Sequence, residues 1–365
     1  MLKLHVIQAE FGDSLLVEFG TTQSSKFILI DGGPADVYDN FLRAELKRII
    51  GDGGTLEVVT ITHVDIDHIK GILDFLAEIK SQSDNGEKQF VKVKDLWLNT
   101  FAKTIDDDGT LSTRINTIFS NAASNSIAMA STGIAINGIK EGNKVTTLCN
   151  ILQIPMNTPA TQGIFRVGSP HSPVTYSNIE ITIVGPTKEN LDALKKEWEE
   201  WISQRENEMA VGNFSILAMS DKSVPNLSSI AFLIKGSGRT MLFTGDGRGD
   251  HLMDGLKMKG FLTDGKMHVD VLKVAHHGSD RNTSRGFFET ITADVYVISA
   301  NGKYKNPDYA TLSWIVEAAK DEKRKIELVI TNETPSTKKL LADYKPSEYG
   351  YNVTYIAAGK NSIEV

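Results

Sequence analysis

Thr62-His63-Val64-Asp65-Ile66-Asp67-His68-Ile69-Lys70-Gly71 sets two histidines and two aspartates within six positions. The apolar run Val58-Val59-Thr60-Ile61 comes directly before it, and Lys70-Gly71-Ile72-Leu73-Asp74-Phe75-Leu76 follows. The first reads as a buried strand and the second as the start of a helix. Polar side chains are therefore delivered where a buried strand ends, and a charge buried there without a partner is costly. A divalent cation is a natural partner, because imidazole nitrogen and carboxylate oxygen both ligate zinc, manganese and iron. For an isolated H-x-D-x-D-H, a solvated polar turn is the competing reading.

The same arrangement recurs along the chain. Phe27-Ile28-Leu29-Ile30-Asp31-Gly32-Gly33 is strand, carboxylate, glycine turn. Leu242-Phe243-Thr244-Gly245-Asp246-Gly247 repeats it, with Ser229-Ile230-Ala231-Phe232-Leu233-Ile234 as the expected hairpin partner. Val271-Leu272-Lys273-Val274-Ala275-His276-His277-Gly278-Ser279 ends another apolar strand in two histidines. Open α/β architectures build a site from distant segments in this way, at the carboxyl ends of strands.

Taken together and in order, these segments resemble the metallo-β-lactamase superfamily. The branch they resemble most is the one that includes the hydrolase domain of DNA-uptake competence (ComEC-like) proteins. The matching elements are Gly12-Asp13-Ser14, Asp31-Gly32-Gly33, His63-x-Asp65-x-Asp67-His68, Ser228-Ser229, Thr244-Gly245-Asp246 and His276-His277-Gly278-Ser279. The resemblance implies an α/β fold, a four-layer αββα sandwich with a largely helical insertion. It implies one domain over residues 1–365, with residues 101–162, where the family pattern gives out, as an insertion or lid. It also implies one or two divalent metal ions, zinc or manganese. Asp67, His68 and one of His276 and His277 would hold one ion; His63 and Asp65 would help hold a second, with Asp246 bridging. Asp31 and Asp13 would brace these ligands from behind, while Asp67, His276 and His277 would stand at the chemistry.

Two departures from the family matter. Asp65 stands where the commoner pattern has histidine, which makes the site more oxygen-rich and tilts it toward harder cations such as manganese. The histidine usually found between the metal loop and the bridging aspartate has one candidate here, His171 in Ser169-Pro170-His171-Ser172-Pro173, which also reads as a surface-turn residue. In Ser299-Ala300-Asn301-Gly302-Lys303-Tyr304-Lys305-Asn306-Pro307, Asn306 takes the place of a histidine of the branch. Ser279, Asn301, Lys303 and Tyr304 are the residues expected to line the substrate pocket. On a continuing strand His276 and His277 would point opposite ways. At a strand end, one can ligate while the other moves a proton or meets substrate.

The chain has 365 residues, 41% of them apolar, and no uninterrupted stretch of membrane-spanning length. Met1-Leu2-Lys3-Leu4-His5-Val6-Ile7 reads as a first strand rather than a secretory signal. The single cysteine, Cys149, excludes an internal disulfide and a cysteine-rich zinc site, and reads as a buried apolar residue. The expected compartment is the cytoplasm, with no membrane partner. Net charge is 39 − 46 = −7, and no long basic run is present. A broad platform for duplex nucleic acid is therefore not indicated; a small or single-stranded phosphodiester suits the balance better. The expected function is a metal-dependent hydrolase, phosphodiester first. The alternatives are a hydrolase of another ester, amide or thioester, or a metal-containing regulatory protein that binds a partner or a second copy through residues 101–162.

Local patterning supplies the remaining elements. Val17–Phe19 and Lys26–Ile30 flank a hairpin turn, and Leu42–Ile50 has helical spacing. Ser81–Lys88 reads as loop and Val91–Leu98 as one strand. Asp106-Asp107-Asp108-Gly109 reads as a turn or weak calcium loop, and Arg114–Ile134 as a helix packed over the scaffold. Glu189–Glu208 reads as an amphipathic helix on Leu191, Leu194, Trp198 and Ile202.

Overall fold

Nearly every central strand is apolar on both faces, and its two faces go to different cores. The computed structural model describes residues 1–104, 106, 108–122, 133–161, 163–210 and 228–365. In chain order its strands begin with β1 (Leu2–Ile7), β2 (Leu15–Thr21), β3 (Ser24–Ile30), β4 (Gly54–Ile61), β5 (Val91–Val93) and β6 (Leu96–Leu98). These form one sheet with spatial order β1-β2-β3-β4-β5, and β6 also pairs with β4. A second sheet contains β7 (Val174–Tyr176), β8 (Ile179–Gly185), β9 (Ala231–Gly236), β10 (Arg239–Phe243), β11 (Met267–Lys273), β12 (Ile291–Ile298), β13 (Ile326–Ile330) and β14 (Tyr351–Tyr355). Its order is the reverse of the sequence, β14 to β7. The last strand, β15 (Ser362–Glu364), returns to the first sheet as the antiparallel neighbour of β1.

The helices are α1 (Arg43–Ile50), α2 (Ile66–Asp84), α3 (Phe101–Thr104), α4 (Thr110–Ala122), α5 (Gly133–Leu152) and α6 (Lys188–Ala210). They continue with α7 (Gly249–Met258), α8 (Arg285–Thr290), α9 (Tyr309–Asp321), α10 (Pro335–Asp343) and α11 (Pro346–Tyr349). Among the described residues no helix is long and apolar enough to cross a membrane.

Strand alternation sorts the side chains into layers. Ile28, Ile30 and Val58 meet Phe232, Phe243 and Val271 in a dry core between the sheets. Their neighbours Leu29, Val59 and Ile61 face outward onto Ile69 and Leu76 of α2 and Val145 of α5. On the other sheet Leu233, Leu242 and Leu272 face Leu252 of α7 and Leu312 and Ile315 of α9. Helix, sheet, sheet, helix is the expected four-layer sandwich. Cys149 is fully buried in the α2–α5 layer, and that burial pushes its thiol up to about 12.

Within the helical insertion α4 packs on α6, while α5 joins α2. Leu111, Ile115 and Ile118 of α4 meet Leu191, Leu194, Trp198 and Ile202 of α6, and the Arg114 guanidinium reaches Glu206 at 2.7–2.9 Å. The acidic turn before α4 is a helix cap: Asp106 accepts from the Leu111 and Ser112 amides at 2.7 and 2.8 Å. Asp107, Gln162, Leu227 and the 123–132 part of the expected Arg114–Ile134 helix lie outside the described residues.

Two local expectations are corrected. Val91–Leu98 is not one strand, because Lys94 and Asp95 step out of it: Lys94 pairs with Glu57 at 2.7 Å, and Asp95 accepts from the Trp97 indole at 2.9 Å. Ser81–Asp84 is not loop but the last turn of α2, where Lys80 meets Asp84, and Gln82 meets Glu78 one turn earlier.

Candidate metal centre

β4 stops at Ile61, and the backbone turns through Thr62–Asp65 into α2, with Asp65 in the extended N-cap conformation. Three glycines let this turn sit against its neighbours. A Cβ on Gly71 would lie 1.9 Å from the Gly32 carbonyl oxygen, and one on Gly12 2.0 Å from the Asp67 carbonyl oxygen. The contact is made by backbone hydrogen bonds, Gly32 N–H to His68 O at 2.9 Å and Asp13 N–H to Asp67 O at 3.2 Å. Asp31, at φ 59°, directly follows β3 beneath the turn. Its carboxylate accepts from the Thr62 amide and hydroxyl, both at 2.8 Å, and from His68 Nδ1–H at 2.9 Å. That leaves His68 Nε2 directed at Asp246 Oδ1, 3.3 Å away.

The second sheet supplies the opposite wall. After β10, the Thr244 hydroxyl donates to Lys273 O at 2.7 Å and Gly245 turns at φ 51°, presenting Asp246. β11 ends at Lys273, so the alternation that would separate two adjacent histidines has already stopped. His276 and His277 both take left-handed backbone conformations, φ 47° and 54°, and both bring Nε2 to 3.6 Å from Asp246 Oδ2. His63 Nε2 reaches the same oxygen at 3.7 Å, and Asp65 Oδ2 at 3.5 Å. His277 donates from Nδ1 to Ser299 O at 3.0 Å, which turns its Nε2 toward Asp67 Oδ2 at 3.3 Å.

Five buried polar atoms in this space make no hydrogen bond: Nε2 of His63, His68 and His277, Oδ1 of Asp65 and Oδ1 of Asp246. Orphaned buried groups of this kind are expensive. Here they fit divalent cations, for they form donor sets whose atoms lie within 4.8 Å of one another: His63, His68 and Asp246, and Asp67, His68 and His277. Protons hold the charge balance when no cation does. Burial works to raise the Asp246 carboxyl, yet the imidazoles of His276, His68 and His277 hold it well below the usual carboxylate range. Burial works to lower His277, but Asp246 and Asp13 push it up to about 10, and His68 is likewise raised by Asp246, Asp31 and Asp67. In His276 burial wins over Asp246 and the ring is held below its ordinary value.

Residues 8–123, which contain Asp13, Asp31 and the whole His63–His68 segment, match the family model Lactamase_B, described as the Metallo-beta-lactamase superfamily. The chain has the metallo-beta-lactamase fold. Among solved structures, the metallo-beta-lactamase fold protein YhfI from Bacillus subtilis aligns at 12% identity over 100% of this chain and 98% of that one, with a TM-score of 0.41. A SAVED/CARF-domain receptor, Cap4 of Acinetobacter baumannii with the cyclic trinucleotide 2'3'3'-cAAA, aligns at 10% identity over 98% of this chain and 63% of that one, with a TM-score of 0.14. Neither score bears on fold or function. No curated protein matches.

Within this metallo-beta-lactamase fold the structure brings together His63, Asp65, Asp67, His68, Asp246, His276 and His277. It does not bring in His171, which is exposed in its turn at φ 57° and belongs to none of the donor sets found among the described residues. Asp13 lies behind the ligands, 3.4 Å from His277 Nδ1, with its other oxygen 2.6 Å from Lys273 Nζ. Lys273 is 1% exposed and escaped the sequence reading, although a lysine inside Val271-Leu272-Lys273-Val274 was a signal that something buried must neutralise it. Thr62 and Ser299 also escaped it. Ser279 caps the histidine turn through its amide, which donates to His276 O at 2.9 Å. Asn306 donates from its side chain to the same carbonyl at 3.4 Å. Asn301, Lys303 and Tyr304 lie on the adjoining loop.

Proposed function

We propose that the protein is a metal-dependent hydrolase that cleaves a phosphodiester. The observation that supports it most is the set of unpartnered buried nitrogen and oxygen atoms, drawn from both sheets, that face one another across a few ångströms. Asp67, His68 and His277 would hold one cation, and His63, Asp65 and Asp246 a second, with Asp246 between them because it approaches His63, His68, His276 and His277 at 3.3–3.7 Å. A bound divalent cation supplies Lewis acidity toward a phosphoryl oxygen and lowers the pKa of water toward neutrality.

The chain's own residues do the rest. Asp31 fixes the His68 tautomer by accepting a hydrogen bond from its Nδ1–H, and the Ser299 carbonyl does the same for His277, so each Nε2 is left to face the cation. His276, the least buried histidine of the pair with 27% of its side chain exposed, is neutral near pH 7 and can accept a proton from the attacking water. Paired sites suit in-line displacement at phosphorus, and Asp65 adds an oxygen donor that favours manganese. The net charge of −7 favours a small or single-stranded substrate over long duplex. The test is turnover by protein loaded with manganese or zinc. Bis-p-nitrophenyl phosphate is expected to be hydrolysed while nitrocefin and a model thioester are not; hydrolysis of either of those without the phosphodiester overturns the substrate reading.

A further inference from the structure

Beside the donor atoms stands a small aromatic and cationic cluster that the hydrolytic site does not use. Tyr304 is 73% exposed, unusual for a large aromatic, and holds a left-handed backbone at φ 58°. A bulky side chain in that conformation is strained and persists where its surroundings impose it. Its ring meets Phe11 edge-to-face, centroids 5.9 Å apart at 85°. The Lys303 ammonium lies 3.4 Å from the Phe11 centroid and 5.1 Å from that of Tyr304. Asn301 ties the two loops together, donating to Glu10 at 2.8 Å and accepting from the Lys303 amide at 3.0 Å.

Both loops are anchored to the ligand-bearing turns. Phe11 precedes Gly12, where an added Cβ would lie 2.0 Å from the Asp67 carbonyl oxygen and whose own carbonyl accepts from Ser299 Oγ at 2.5 Å. The 301–307 loop touches the histidine turn through Asn306 and through Pro307, against which Gly278 packs. A held positive charge and an open ring face thus border the candidate metal centre. An aromatic face accepts any base by stacking, and an ammonium beside it accepts phosphate oxygen.

We infer that Tyr304, with Phe11 and Lys303 beside it, is a stacking platform for the nucleobase of a nucleotide phosphodiester. The inference rests on the phosphodiesterase reading and narrows it to substrates that carry a base next to the bond cleaved. Calorimetric titration of the manganese-loaded protein with thymidine 5′-monophosphate and with 2-deoxyribose 5-phosphate tests it, since the two probes share the phosphate and differ in the base. The nucleotide is expected to bind about five- to 150-fold more tightly, the range one stacked base spans. Tyr304→Ala is expected to bring that ratio to within about twofold, and Tyr304→Phe to preserve it. Equal affinity of the wild type for the two probes, or an unchanged ratio in Tyr304→Ala, overturns the platform. Selective binding without turnover of bis-p-nitrophenyl phosphate leaves the base platform standing and removes the phosphodiesterase reading; turnover without selectivity does the reverse.

Discussion

Asp246 is the carboxylate that four imidazoles approach, and its removal should scatter the charge they share. Asp246→Ala is expected to lose most of its metal by elemental analysis and at least about a hundredfold in phosphodiester turnover, while circular dichroism stays native. Full metal content in that variant would show that Asp246 is not a bridge. The protons matter as much as the carboxylates. Without a cation, Asp246 and Asp13 push the His277 imidazole up to about 10 against its burial and His68 is raised well above its ordinary value, so both hold protons at pH 7 that a cation must displace. Metal affinity should therefore climb as pH rises from 7 toward 10, with net proton release on binding. Calorimetry in two buffers of different ionisation enthalpy reads that release directly, and a flat affinity across this range would contradict the assignment. Most of these donors are legible in the sequence because each follows an apolar strand within a few residues. Lys273 was not, because its partner Asp13 comes from the other sheet and 260 positions away, a distance that no local pattern spans.

The elements were legible where side-chain period speaks alone, and obscure where a distant partner decides. The β4–α2 unit follows from its apolar run and the turn after it, and α6 from the spacing of Leu191, Leu194, Trp198 and Ile202, all of which are buried against α4. The break between β5 and β6 depends on Glu57, and on Thr158, whose hydroxyl donates to Asp95 at 3.1 Å, so residue type within Val91–Leu98 does not announce it. The close approach of α2 to the β3 turn is a second case, where the glycines were visible and the contact was not. Gly71→Ala places a methyl group against the Gly32 carbonyl oxygen, which must move. Its expected cost is about 1–3 kcal/mol in urea unfolding, with weakened metal retention because His68 lies on the same turn of α2. A variant of wild-type stability would mean that the helix can shift without disturbing the site.

At the scale of the molecule, the stacked layers were legible only through the family that the ordered strand-end motifs resemble, whereas the order of strands came only with the fold; nothing in Ser362–Glu364 advertises that it pairs with β1 at the far end of the chain. The candidate centre draws His63, Asp65, Asp67 and His68 from one sheet and Asp246, His276 and His277 from the other. A cation that binds only this assembled form adds stability by mass action, about 2.7 kcal/mol at a hundredfold excess over its dissociation constant. Chelation should then lower the melting temperature by roughly 3–4 °C, and identical melting curves with and without chelator would argue that no cation joins the two walls. The ion would also serve as a gauge of slip between the sheets. Since the donors on opposing walls stand 3.3–3.7 Å apart, sliding one wall by an ångström spoils the pocket long before the outer helices unwind. Under hydrostatic pressure or mild denaturant, loss of the ion should be the earliest sign that the oily seam is giving way.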